Sequence, residues 1–211
     1  MISAREALER LKDGNRRFVS NSSNSSRELD SKRAELATRQ EPFAVILGCS
    51  DSRVPAELVF DQGLGDLFVI RVAGNIVAPS QVGSVEFAAA RFNTRLVVVL
   101  GHTQCGAIAA TLEELRNPGG TQSRNLRSIV DRVRPSVESL LQAGFTGDEA
   151  SLTKHAVRAN IRASVDHLRH GSELLEDHIR KEGLAVVGAD YSLETGEVDF
   201  FDEGDLANRS A

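Results

Sequence analysis

The sequence predicts an α/β fold: a mainly parallel central β-sheet flanked by helices, with an N-terminal helical arm and a C-terminal edge strand. Three observations carry this. Short apolar runs, FAVILG, LVVVL and LAVVG, recur along the chain, as strands covered on both faces require. Segments with helical apolar spacing lie between them, and parallel neighbours need such crossovers. No internal repeat suggests a solenoid instead.

Each element has a local reason. Residues 3–19 place Ala4, Leu8, Leu11 and Phe18 at helical spacing, and Ser3 with Glu6 makes a capping box. The polar run Ser20 to Ser26 breaks that helix, and a second is expected over Leu29 to Arg39. Residues 1–40 thus form a helical arm outside the core pattern. Its apolar stripe needs a surface, on its own domain or on a second subunit, and the partner subunit is the expectation. Residues 41–211 form the α/β domain. Phe43 to Gly48 is the first strand, and Pro55 opens a short helix at its preferred first-turn position. Leu67 to Val72 is the second strand, Gln81 to Phe92 a helix, Leu96 to Leu100 the third strand, and Cys105 to Arg116 a helix that ends in the loop Asn117 to Gly120. Helix dominates from Leu126 to about Lys181, broken near Gly144 to Asp148, with Val157, Ile161, Val165, Leu168, Leu175 and Ile179 on one face. Leu184 to Gly188 is the fourth strand, and Val198 to Phe201 an edge strand after the turn at Thr195 and Gly196.

Composition narrows the function. The 211 residues are 41% hydrophobic and 26% charged, which argues against disorder, collagen and a disulfide scaffold. Apolar runs fall far short of the ~20 residues that cross a bilayer, so no membrane partner is expected. The opening MISAREALERLKD has no apolar signal core, and a cytoplasmic location is the expectation. Net charge is −5, with no long basic run, so no nucleic-acid partner is expected either. Gly63-Leu64-Gly65 is a turn with no GxGxxG after it, which leaves dinucleotide binding unsupported.

The chemistry gathers at two strand ends. Ligands of parallel sheets bind at the carboxyl ends of strands. Cys49 follows the first strand, and His102 and Cys105 follow the third. Two cysteines and a histidine form a zinc ligand set with the fourth tetrahedral position open, and their softness favours zinc over magnesium. Two buried core thiols are the plainer alternative for Cys49 and Cys105. Asp51 could fill the fourth position or accept a hydrogen bond from zinc-bound water, and Arg53 can grip a carboxylate with two parallel bonds. His155, His167, His170 and His178 read as surface or packing histidines of the helical half.

The segments CSDSRVPAE (Cys49 to Glu57), RVAGN (Arg71 to Asn75) and GHTQCGA (Gly101 to Ala107) resemble the signature segments of the β-class carbonic anhydrases. The resemblance implies one Zn2+ per subunit on Cys49, His102 and Cys105, with Asp51 as a fourth ligand in a closed state. It implies an Asp51–Arg53 catalytic dyad and a homodimer or homotetramer. It also implies reversible hydration of carbon dioxide to bicarbonate by a zinc-bound hydroxide. By the same resemblance Gln40, Phe68 and Phe87 match substrate-pocket positions, Phe87 standing where many plant-type members have tyrosine, with Val72 and Gly106 as further lining. Arg71 and Tyr191 match two residues of an inhibitory bicarbonate pocket. Ile46 holds that pocket's tryptophan position and the chain has no tryptophan, so an intact inhibitory site is not expected. Two rival functions are a zinc hydrolase of carbon disulfide or carbonyl sulfide and a non-catalytic zinc module. A structural zinc site has no need of Asp51 and Arg53, which speaks against the module.

Overall fold

The structure is a computed structural model that describes residues 1–22, 29–119, 123–145, 147–204 and 206, with the backbone alone for 29–32. In chain order the elements are α1 (Ala4–Val19), α2 (Leu29–Leu36), β1 (Ala44–Gly48), α3 (Ala56–Val59), β2 (Leu67–Arg71), a 3₁₀ turn (Ala73–Asn75), α4 (Pro79–Phe92), β3 (Leu96–His102), α5 (Gly106–Arg116), α6 (Arg124–Gln142), α7 (Glu149–His170), α8 (Glu173–Asp177), a π turn (His178–Glu182), β4 (Ala185–Tyr191) and β5 (Val198–Phe201). The sheet order is β2-β1-β3-β4-β5, with β5 alone antiparallel. No described helix is long and apolar enough to cross a membrane.

The sheet is buried on both faces because alternate strand residues feed two separate cores. Val45, Leu47, Val97, Val99 and Val186 face α4 to α8. Ile46, Val98, Leu100, Val187 and Ala189 face α1, α3 and Phe60. This two-sided burial is why β1 and β3 read as unbroken apolar runs rather than alternating ones. The α7 stripe does as its spacing predicts: Val157, Ile161, Val165 and Leu168 are all buried.

Several element ends differ from the sequence reading, each for a visible reason. Strand β3 runs on to His102 and β4 to Tyr191 because those two residues pair with each other. Helix α4 starts at Pro79, since a first-turn proline loses no intrahelical bond. Cys105 stands as the N-cap of α5 rather than inside it. The long helical region is interrupted a second time at Gly171 and Ser172, where the Ser172 hydroxyl caps α8. Gly120, the last residue of the predicted loop, lies outside the described residues, as does most of the Ser20 to Ser26 break.

Helix α1 begins with the predicted capping box: the Glu6 carboxylate accepts from Ser3 N at 2.8 Å, and Ser3 Oγ accepts from Glu6 N at 3.2 Å. Its stripe, Ala4, Ala7, Leu8 and Leu11, is buried on this chain's own sheet, with Phe18 partly buried beside it. Within the chain, α1 is thus seated on its own sheet. Asn15 stitches it down: Nδ2 donates to the carbonyls of Val59 (3.1 Å) and Gly196 (2.9 Å), and Oδ1 accepts from Val198 N (2.9 Å). The helix approaches so closely that a Cβ on Gly14 would stand 1.8 Å from the Phe60 carbonyl oxygen. Gly14→Ala is therefore expected to push α1 off its seat at a cost of about 3 kcal/mol, read as a lower midpoint in denaturant unfolding.

Candidate metal centre

Parallel pairing builds the centre. Gly48 of β1 lies opposite Leu100 of β3, so the residues just beyond each strand emerge together. Cys49 follows β1, and His102 closes β3. A tight loop with Gln104 in the left-handed region (φ 55°) then returns Cys105 to the same spot. The two sulfurs are 4.0 Å apart, and ligand atoms of Cys49, His102 and Cys105 lie within 4.8 Å of one another. All three residues are buried.

The histidine settles which atom faces the cluster. Its Nδ1 lies 2.9 Å from the Thr103 carbonyl oxygen, an acceptor, so Nδ1 carries the proton and Nε2 presents a lone pair. Nε2 is buried with no hydrogen-bond partner among the described residues. A buried polar atom without a partner is costly. Here it points toward two soft sulfur donors, and a thiophilic ion satisfies all three at once. The residues therefore fit a metal of the zinc type.

The cluster also shifts its own proton equilibria, and Cys49 is the member moved toward the thiolate that a metal takes. Cys105 supplies the hydrogen bond that most lowers Cys49, from 9.0 to about 4 against the cost of burial. The Gly74 N–H, 3.3 Å from Cys49 Sγ, adds to this. Cys105 moves upward, because it gives that bond to Cys49 and is itself desolvated. Burial works against a charged His102, yet its polar interaction with the neighbouring Cys49 sulfur carries its pKa above the ordinary value.

Asp51 and Arg53 lock together at the rim. Arg53 Nε donates to Oδ1 at 2.9 Å, Nη2 to Oδ2 at 2.7 Å, and the Arg53 backbone N–H to Oδ1 at 3.0 Å. This grip, Arg53's side chain foremost, holds the Asp51 carboxyl well below the usual range. Asp51 Oδ2 is 3.9 Å from His102 Nε2, so the carboxylate overlooks the cluster while tied to Arg53. Arg71 serves the same loop from below. Its Nε donates to the Cys49 carbonyl (3.0 Å) and its Nη2 to that of Asp51 (2.6 Å).

The remaining candidates divide. Val72 bonds through its N–H to the Gly48 carbonyl at 3.1 Å, and Gly106 adjoins Cys105, so both border the centre. Phe68 lies opposite Val45, three steps down the strands from the Gly48–Arg71 pair, or about 10 Å. It clusters with Phe87 and Phe92, and Phe87 is 53% exposed. Gln40 is exposed ahead of β1, at the opposite end of the sheet from the centre. Within one chain these three do not join the cluster. Ile46 is fully buried core, and Tyr191 is buried with its carbonyl bonded to Thr103 N. His155, His167 and His170 are exposed and His178 half-buried, all outside the cluster. The sequence reading did not assign Gly74, whose N–H meets the Cys49 sulfur. Its only signal was a glycine inside RVAGN.

A buried Cys₂His cluster at neighbouring strand ends, overlooked by a clamped carboxylate, defines a metalloenzyme-type centre on an α/β sheet. A family model described as carbonic anhydrase matches residues 44–198. Carbonic anhydrase 2 of Mycobacterium tuberculosis is 40% identical over 190 residues, covering 90% of this chain and 89% of that protein. The carbonic anhydrase of Mycolicibacterium smegmatis is 39% identical over 193 residues, covering 92% and 91%. The β-carbonic anhydrase CafA of Aspergillus fumigatus superposes with a TM-score of 0.75 at 25% identity, covering 95% of this chain and 91% of that one. The chain belongs to the β-carbonic anhydrase family of metalloenzymes, whose general reaction is the reversible hydration of carbon dioxide.

The sulfur pair generates a test. A thiol whose folded pKa is depressed stabilises the fold above its unfolded pKa and loses that contribution as pH falls through the folded value. Cys49 should therefore support the metal-free chain increasingly as pH rises from about 4 toward 9.0. Ultraviolet thiolate absorbance of metal-free protein at pH 7 is expected to report one thiolate per chain. In Cys49→Ser high-affinity metal binding should be lost.

Proposed function

We propose that this chain hydrates carbon dioxide reversibly to bicarbonate and a proton, with one zinc ion held by Cys49, His102 and Cys105. The observation that carries the reading is the convergence of an unpartnered, buried His102 Nε2 and two sulfurs beneath an Asp51 carboxylate that Arg53 holds in place. Bound there, zinc would supply the Lewis acidity that lowers the pKa of water to about 7.

The chain's own residues supply the rest. Asp51 stays ionised because Arg53 grips it, and Oδ2, which takes one of the three Arg53 bonds, keeps the acceptor capacity to orient the attacking water. Held by three bonds from Arg53, Asp51 is kept from swinging inward to occupy the position that water needs. Arg71 fixes the two carbonyls around which that loop turns. Val72 offers an apolar neighbour for an uncharged substrate. The water adds to the carbon through its oxygen, one proton leaves to buffer, and bicarbonate is released.

We further assign the Phe68–Phe87–Phe92 cluster to a face covered by a second copy of the chain. Phe87 is exposed and packs on the partly buried Phe68 and Phe92, a small apolar patch that a second copy would cover. Gln40, Phe68 and Phe87 then serve a pocket only in the assembly. Phe87→Glu should shift the light-scattering mass toward a single chain, since a charge in an apolar contact is costly.

A stopped-flow assay with a pH indicator on zinc-loaded protein tests the reaction. Acceleration over buffer is expected, and none, with zinc stoichiometrically bound, would overturn the reading. Arg53→Ala should lower kcat/KM by about 10²-fold or more while leaving zinc content near that of the wild type, because Arg53 is not a ligand.

A further inference from the structure

One helix that carries no ligand holds the turn beneath Cys49. From the middle of α7, Asn160 Nδ2 donates to the Gly74 carbonyl at 2.8 Å, and Ser164 Oγ donates to that of Asn75 at 3.1 Å. The two lie four residues apart and so face the same way. Both are buried, on a helix side otherwise filled by Val157, Ile161, Val165 and Leu168. Burying an amide and a hydroxyl there is unfavourable unless each is bonded. Each spends its bond on the same turn.

That turn needs holding. Gly74 (φ 71°, ψ 17°) and Asn75 (φ 43°) are consecutive residues in the left-handed region, where a non-glycine residue is disfavoured by about 1 kcal/mol. A Cβ on Gly74 would also stand 3.1 Å from the Ala107 Cβ. With the Gly74 dihedrals set, anchoring its carbonyl also sets the direction of its N–H. That N–H lies 3.3 Å from Cys49 Sγ. A continuous path of hydrogen bonds therefore runs from α7 through Gly74 to the sulfur.

We propose that Asn160 is a positioning residue of the metal centre: by anchoring the Gly74 carbonyl it keeps the Gly74 N–H on the Cys49 sulfur and that sulfur turned toward His102 and Cys105. This rests on reading those three residues as metal ligands, and not on the reaction they serve. Groups that orient a ligand from outside its bonds to the ion change metal affinity by roughly 10–100-fold when removed.

The test uses the full chain loaded with cobalt(II), whose thiolate charge-transfer band reports the energy of the sulfur lone pairs. Asn160→Ala removes the anchor and weakens the N–H···S bond, which raises those lone pairs. The band is expected to move to lower energy, and zinc affinity, by competition with a chromogenic chelator, to fall about 10–100-fold. Thr94→Val is the control. It deletes a buried bond of the same kind, Thr94 Oγ1 to the Pro42 carbonyl (2.8 Å), at the amino end of the sheet. It should lower the thermal midpoint and leave band and affinity unmoved. If Asn160→Ala lowers stability as Thr94→Val does while band and affinity stay at wild-type values, Asn160 is an ordinary structural bond and the proposal falls. Should Asn160→Ala fail to fold, Ser164→Ala must show the same shifts at smaller size, and its failure to do so overturns the proposal equally. Zinc-loaded wild type that binds the metal yet hydrates no carbon dioxide sinks the functional reading alone.

Discussion

Because β1 and β3 lie side by side and run the same way, their carboxyl ends open at one level, and the molecule's chemistry depends on that register. A slip of one residue would turn every side chain of a strand to the other face and send Cys49 away from His102. The register is secured by burial rather than by the centre itself. Both strands are wholly buried, with alternate residues committed to two different cores, so no slipped pairing keeps either core intact. The centre is thus a by-product of a sheet that has one good way to pair.

The guanidinium groups around the centre divide their work. Arg53 reaches a side-chain carboxylate, and Arg71 reaches two backbone carbonyls of the same loop. One decides where a charge points, and the other decides where the chain runs. A further contact, from Arg53 Nη2 to the Gln104 carbonyl at 3.4 Å, ties the loop after β1 to the loop after β3. A lysine could not repeat these paired contacts, since it lacks the planar fork.

Much of this was legible in the sequence, and the limits have physical causes. Strands β1 and β3 announce themselves because full burial demands unbroken apolar runs. Cys49, His102 and Cys105 were legible because each sits within a few residues of a strand end, so local pattern and site coincide. Asn160 was not. Its partner, Gly74, is 86 residues distant, and one polar residue on a helix stripe looks like any tolerated exception. The seat of α1 was equally undetermined, because an apolar stripe states what it needs and not where it finds it. Gln40, Phe68 and Phe87 show the converse: a family resemblance can propose pocket residues that a single chain holds away from its centre.

Asn15 has a consequence for how the chain comes into being. Its side chain closes on Val198, 183 residues later, and on the Gly196 carbonyl beside it. The loop between His102 and Cys105 likewise waits for a distant strand, since Thr103 N donates to the Tyr191 carbonyl. During synthesis α1 and all three ligand residues leave the ribosome well before the residues that lock them. Such separations slow folding, because loop entropy is spent before the contact forms. The nascent chain therefore carries a stretch of synthesis in which both sulfurs are present and neither is yet walled in.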